Sequence, residues 1–584
     1  MKSRPVITIL VSVLLAISMG TAVYAGPADT VALNGKIYTS NPKQPWAKAV
    51  AIHGTDIVYV GDNEGAKKFI GEKTTVADLR GKFMMPGIIS THEHPLMVMA
   101  LASGLTLEYT EDANQMLASV KEYVEKNPDG PMFSFGGSYE GRVDIFRQDI
   151  DRIISDRPFL MIAASGHGGW CNTKALEVAG VTKDTPDPID SFQREEDGTP
   201  NGYLESSAST MWMMDKLGII KKEDVMEKAK PTLADLSGYG ITALLDPGAP
   251  YSEDACYPAL ADLEKRGELT VRISACPIAQ RESMLDHAFN MLQKYAPLYK
   301  SELFKVETLK LHGDGSPDGW TAGMLEPYAD KPDSTGITSF TPEVQKAAAM
   351  KAAKMGYDIH THCGGDRTMR QTLDAYEAVR KAGYDKVRLA TGHSTMIHPD
   401  DVPRFKELDV IVNTFAAKNT VPDPTWEARF GPERAKRYAP HGTLLDAGAM
   451  LTMSADYPTA PVNPMLQISI AMARHEPGKG PEFHGFEEDK LTLEEAIKAY
   501  TIDAAYHLLW DNIIGSIEVG KRADLIVLDR NLFESTTDEI AEANVLATMM
   551  NGKVVHEEAV DWDPPGDQIE FDVCGSSSAL DDLQ

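Results

Sequence analysis

Five short segments that read as β-strands each end in a side chain able to bind a metal or move a proton. They are Phe83–His94 (FMMPGIISTHEH), Phe304–Asp314 (FKVETLKLHGD), Tyr357–His362 (YDIHTH), Val387–His393 (VRLATGH) and Met450–Asp456 (MLTMSAD). In chain order the set gives His-x-His, Lys, His, His and Asp. Such a series of strand-end ligands is what a (β/α)8 barrel needs to hold one or two divalent cations at the C-terminal ends of its strands.

Alternation within each segment tests this, because side chains two apart share one face of a strand. Lys310, His312 and Asp314 oppose Leu309 and Leu311. Thr452, Ser454 and Asp456 oppose Leu451, Met453 and Ala455. His92 and His94 share a face that Glu93 opposes, and His360 and His362 share one likewise. In every case the polar set is compatible with an inward face. Two imidazoles on one strand face can reach a single ion, and imidazole-rich sets make zinc the default metal, with iron, manganese and nickel open.

Lys310 on an inward face must be paired, neutral or modified, because an unpaired buried ammonium is costly. Two roles stay open at this point: a carbamate formed with CO₂ that bridges two cations, or an ion pair with Asp314 or Asp456. Asp456 has the chemistry of a proton shuttle, accepting a proton from a metal-activated water and delivering it to the leaving group. His360 and His312 are expected behind the ligands. His167, in SGHGGWCNTKAL, is open to two roles, a substrate contact or a loop residue, and Asp314 is a second candidate substrate contact.

Around these segments, strands alternate with helical stretches, the mark of a parallel α/β architecture. Eight strands are expected: the His-x-His segment, then Ile241–Asp246, Leu269–Ala275, Thr308–His312, Asp358–His362, Arg388–Thr391, Val410–Asn413 and Met450–Ala455. Helices are expected over Pro342–Met355 and Arg367–Ala382. The expected barrel spans 85–509. Residues 101–231 are too many for one connection and predict an inserted subdomain that roofs the site. Short alternating runs at 29–84 and 510–560, the second with an Asn551-Gly552 hairpin signal, predict one composite β-sandwich built from both chain ends. Residues 561–584 read as a tail.

At 584 residues, with 24% charged and 43% hydrophobic side chains, the chain has ample core. A net charge of -29 without any basic run argues against nucleic acid. Lys2 and Arg4 precede an apolar run, Val6 to Met19, and the small-x-Ala pattern Val23-Tyr24-Ala25. That predicts a cleaved signal peptide (1–25), export to the periplasm or medium, and a mature form with no membrane span. The five cysteines are widely spaced and form neither a disulfide framework nor a CxxC site; Cys363 reads as a packed core thiol.

The chain also resembles the amidohydrolase superfamily, in the amidohydrolase 3 branch with the N-substituted formamide deformylases and YtcJ-like proteins. The resemblance rests on MPGIISTHEHP, GHGGWCNTKALEVAG, DGTPNGYLES, LKLHGDGS with TAGMLEPY, HTHCGGDR, HPDDVPRFKELDVIV, LLDAGAMLTMSADYPTAPVNP and GSIEVGKRADLIVLD. It implies a β-sandwich plus a distorted TIM-like barrel. It implies metal ligation by His92, His94, carboxylated Lys310, His362, His393 and Asp456, with Asp456 as proton shuttle. The chain departs from the family in one respect: Gly392 stands where an acidic residue usually precedes the strand-six histidine.

The expected activity is hydrolysis of C–N bonds in a small amide-type substrate, and a homodimer is compatible with it. One alternative is a mononuclear deaminase on the same fold, although such enzymes by resemblance carry a glutamate where this chain has Gly365. The other is an exported binding or regulatory protein without turnover.

Overall fold

A computed structural model describes residues 24, 26–101, 104–129, 132–138, 142–164, 168–185, 192–317, 319–419, 424–479 and 485–558. The expected signal peptide, apart from Tyr24, and the expected tail lie outside the described residues, as does His167.

The fold is α/β, and two parallel sheets form its centre. One runs Phe304–Val306, Arg272–Ala275, Ile241–Asp246, Ile88–Ser90; the other runs Ile278–Ala279, Thr308–His312, Asp358–Cys363, Leu389–His393, Val410–Thr414, Met450–Met453. Nearly every residue in their strands is buried, polar or apolar, as sheets covered on both faces require. Helices Pro342–Met355 and Asp366–Lys381 flank the second sheet and contribute Ala349, Ala353, Leu373 and Val379 to the main core.

Two strands are broken, and the breaks divide the sheets. The chain leaves the first sheet at Ala275, passes Cys276-Pro277 and enters the second at Ile278; it does so again between Val306 and Thr308. Proline cannot donate to a ladder, so the first break is written into the sequence. At the far edges the sheets approach one another, where Thr91 N–H donates to Met453 O at 3.5 Å.

The chain ends share a sheet. Phe83–Pro86 pairs antiparallel with Leu525–Leu528 in a six-stranded sheet that also holds Lys36–Tyr38, Trp46–Ala47, Val545–Met550 and Lys553–Glu557. Asn551 and Gly552 both take positive φ (51° and 71°), as the hairpin between Met550 and Lys553 requires. A second sheet, built from Thr30–Leu33, Ala49–His53, Asp56–Gly61 and Thr75–Asp78, packs against it through Ala32, Val50, Met84, Leu525, Val527 and Met549.

Strands between Leu105 and Leu204 form a separate six-stranded mixed sheet with apolar clusters of its own, around Phe133 and Leu204 and around Trp170 and Val120. The helix Lys222–Gly238 packs on Pro95–Leu101 and gives Val225, Leu233 and Leu236 to the main core. That helix, whose first residues fall within the expected insertion at 101–231, packs with the main core. No helix among the described residues is long and apolar enough to cross a membrane.

Candidate metal centre

The segment Phe83–His94 is two strands rather than one. Phe83–Pro86 belongs to the chain-end sheet and Ile88–Ser90 to the first parallel sheet, with Gly87 between them. A Cβ at Gly87 would fall 2.3 Å from Thr242 Oγ1, so the chain changes sheets where only glycine fits. His92 and His94 lie past the strand end. They share a direction because of the loop's own bonds, not because of strand alternation. His94 N–H donates to Tyr457 O (2.9 Å) and Asp456 N–H to His92 O (3.2 Å), which locks the 91–94 loop to the 455–457 loop.

Asp456 also lies past its strand, which ends at Met453, and takes a left-handed φ of 64°. His92 Nε2 stands 3.8 Å and His94 Nε2 3.5 Å from Asp456 Oδ1. Ligand atoms of His92, His393 and Asp456 all fall within 4.8 Å of one another. The His362 and His393 rings are 3.9 Å apart between centroids, and His312 stacks on the other side of His362 at 4.3 Å. Phe415 stands edge-on to His393 and His92, a dry wall for the site.

The far nitrogens of two imidazoles are already engaged. His94 Nδ1–H donates to Gly248 O (3.2 Å) and His362 Nδ1–H to Asp314 Oδ1 (3.0 Å). Each bond fixes the tautomer that leaves Nε2 a lone pair for an ion.

This corrects the expectation for Asp314. Its strand ends at His312, and its buried carboxylate accepts from Gly323, Gly364 and Gly365 N–H as well as from His362. Burial pushes the carboxyl up to about 6, against those donors. With both oxygens so engaged, Asp314 orients His362.

Lys310 is buried, and its Nζ has no hydrogen-bond partner among the described residues. The expected ion pair with Asp314 or Asp456 is not formed. Burial depresses its pKa to about 8. An unpartnered Nζ beside a convergent set of imidazoles and a carboxylate fits a group that the chain alone does not supply. The residues present thus fit a divalent ion, and Lys310 fits a role beside it. Cys363 points away, its thiol against Thr372 Oγ1 (3.3 Å), as expected of a core thiol.

Sequence reasoning missed Glu93. Its carboxylate accepts from Ser90 Oγ (2.5 Å), Ala455 N–H (2.8 Å) and Tyr457 N–H (2.6 Å), gripping the residues on either side of Asp456. Burial pushes this carboxyl up to about 7, while the three donors favour the ionised form. Thr459 was missed as well; its hydroxyl donates to Asp456 Oδ2 at 2.8 Å.

The comparisons with known proteins agree with this geometry. The amidohydrolase family profile matches residues 75–556. Protein LONG AFTER FAR-RED 3 of Arabidopsis thaliana is 28% identical over 91% of this chain and 92% of its own. The N-substituted formamide deformylase of Arthrobacter pascens is 26% identical over 91% of this chain and 98% of its own. Among solved structures, an uncharacterized metal-dependent hydrolase from Pyrococcus horikoshii OT3 superposes with a TM-score of 0.69 at 24% identity, covering 87% of this chain and 99% of that one. The chain belongs to the amidohydrolase family.

Proposed function

We propose that this protein is an exported, metal-dependent hydrolase of amide-type C–N bonds, its two parallel sheets being the arcs of a distorted (β/α)8 barrel and its chain ends a composite β-sandwich. One observation carries the reading: His92, His393 and Asp456 bring ligand atoms within 4.8 Å of one another. His94 and His362 add imidazoles whose far nitrogens are tied to Gly248 O and Asp314. A divalent ion, zinc by default for so many imidazoles, supplies Lewis acidity to a water and to the scissile carbonyl when bound.

The rest falls to the chain. Asp456, held by Thr459 and by the Glu93 grip, takes a proton at Oδ1 and passes it to the departing nitrogen. Phe415 keeps bulk water off the imidazoles. Carboxylation of Lys310 would turn a cation without a partner into an anion among imidazoles. The formamide deformylase, aligned over nearly all of both chains, supports an amide-type substrate. Against the deaminase alternative stands Gly365, which occupies the glutamate position and supplies only a backbone N–H, already donated to Asp314. Export rests on the pattern from Lys2 to Ala25 and is tested by the intact mass of the soluble product.

The decisive experiment screens the mature protein against a panel of amides with its metal content measured. Asp456→Asn should lower turnover by roughly a hundredfold or more, the scale for loss of a general base, with circular dichroism unchanged. Near-normal turnover by that variant, or a metal-loaded protein inert toward every amide, would overturn the reading.

A further inference from the structure

His92 is braced differently from the other imidazoles. His94 and His362 lean on a carbonyl and a carboxylate, whereas His92 Nδ1 meets the Nε2 of a further histidine, His360, at 3.0 Å. His360 is fully buried in the strand Asp358–Cys363, its ring stacked on His507 at 5.5 Å and 14°. Its other nitrogen, Nδ1, has no hydrogen-bond partner among the described residues.

The space for this bond comes from the next strand. Gly392 lies beside it, and a Cβ there would fall 2.6 Å from His360 Nε2 and 3.0 Å from His92 Nδ1. Any side chain at 392 would sit where the two imidazoles meet. The departure noted in the sequence, glycine where an acidic residue is usual, therefore has a local consequence. The strand that gives up its side chain at 392 makes room for a partner from the strand before it.

We propose that His360 is a positioning residue for His92, and that Gly392 and His360 act as a pair: the glycine clears the space and the histidine accepts the Nδ1 proton of His92. The proposal rests on the reading that His92 holds a divalent ion. Because His92 Nε2 faces Asp456, an ion on that nitrogen leaves the ring's one proton on Nδ1. His92 Nδ1–H must then donate, and His360 Nε2 must accept. His360 in turn carries its own proton on Nδ1, the atom without a partner. An unmet buried N–H is a cost that a purely structural imidazole would have no reason to retain. Loss of such an outer partner typically weakens metal binding about 10- to 100-fold.

The test measures the free zinc needed for half-occupancy, by chelator competition, together with the melting of the metal-stripped protein. His360→Phe keeps the ring and its stack on His507 but removes the acceptor. Half-occupancy should require about 10- to 100-fold more free zinc, while the metal-stripped protein melts no lower than wild type. His360→Gln, whose amide oxygen reaches the position of Nε2, should recover most of the affinity. Gly392→Ala, which leaves both imidazoles intact, should weaken zinc binding to the same order as His360→Phe. If His360→Phe misfolds, Gly392→Ala still decides. Zinc affinity unchanged in His360→Phe, or in Gly392→Ala, overturns the pairing and leaves the hydrolase reading standing. A wild-type chain that takes up no divalent ion overturns both.

Discussion

Two cations are buried on neighbouring strands of the central sheets, and they are treated in opposite ways. Arg272, where the strands begin, gives Nε and Nη2 to the two oxygens of Asp524 (2.8 and 3.1 Å), Nη1 to Glu302 O (3.0 Å) and a further bond to Asn551. Lys310, facing the end where the candidate ligands gather, has no hydrogen-bond partner for its Nζ among the described residues. Two other buried cations follow Arg272. Arg474 donates to three backbone carbonyls, and Lys305 is held by Leu508 O and Glu307 over the Trp510 ring. A fold that pairs Arg272, Arg474 and Lys305 and leaves Lys310 without a hydrogen bond among imidazoles has given up stability at that point. Arg272 joins the chain-end sheets to the parallel ones, whereas the Lys310 ammonium joins nothing among the described residues.

The sharpest way to break this contrast is to truncate both cations. Lys310→Ala should lose metal and activity together, activity by about a thousandfold, the kinetic equivalent of the several kcal/mol a Lewis acid supplies. Acetate or propionate should partly restore both by occupying the vacated space. If Lys310 is carboxylated and bridging, the wild type should hold close to two ions per chain in carbonate. One ion per chain, unchanged in Lys310→Ala, would make the lysine irrelevant to metal and the contrast empty.

At the other end the expected effect is on stability alone. Asp524→Ala strands Arg272 in the interior and should destabilise the first unfolding transition by roughly 3–5 kcal/mol, the usual cost of uncovering a buried charge. Turnover per folded molecule should not change. Equal metal loss in Asp524→Ala and Lys310→Ala would show that the two ends are not separable.

A third test needs no substrate. Lys310 has a pKa of about 8 when folded and, as a free lysine, about 10.4 when unfolded, so holding it charged costs the metal-free fold roughly 3 kcal/mol. The sign follows from proton binding. Between pH 8 and 10.4 the unfolded chain holds the extra proton, so stability rises with pH across that window and the cost is felt in full below pH 8. Metal-stripped wild type should therefore gain on metal-stripped Lys310→Met as pH rises from 8 to 10.4, and lag behind it at pH 7. Parallel stability curves for the two would refute a charged, unpaired Lys310.

Much of this was legible in the sequence because metal chemistry admits few residue types. Of the six residues named from the sequence, His92, His94, Lys310, His362, His393 and Asp456, the structure draws ligand atoms of His92, His393 and Asp456 within 4.8 Å of one another, and the helix Pro342–Met355 falls where expected. The errors share a cause. The period-two rule was extended past the strand ends, but the strands stop at Ser90, His312 and Met453. Beyond those points direction is set by long-range hydrogen bonds that no local pattern encodes. For His92 and Asp456 the conclusion survived on different grounds. For Asp314 it failed, because glycine N–H groups from two other segments captured the carboxylate. The break at Cys276-Pro277 was visible in its proline; that between Val306 and Thr308 was not.

Glu93 yields the smallest effect and the finest test of how the ligand end is held. Its two oxygens serve three donors, two of them the N–H groups flanking Asp456, and Asp456 sits at a φ of 64°, which a non-glycine residue keeps only when its neighbours enforce it. Glu93→Gln preserves shape but turns one acceptor into an amide donor that faces a backbone N–H. One unmet buried donor costs about 1–3 kcal/mol, and the 455–457 loop can relieve it by moving. A displacement of the proton acceptor by that route should lower kcat by about tenfold and weaken zinc binding far less, since His94 and His362 keep their own supports on Gly248 O and Asp314. The melting temperature should fall only slightly. If kcat holds while stability drops, Glu93 secures the loop without aiming Asp456, and the grip at the ligand end is structural in the same sense as the Arg272–Asp524 pair.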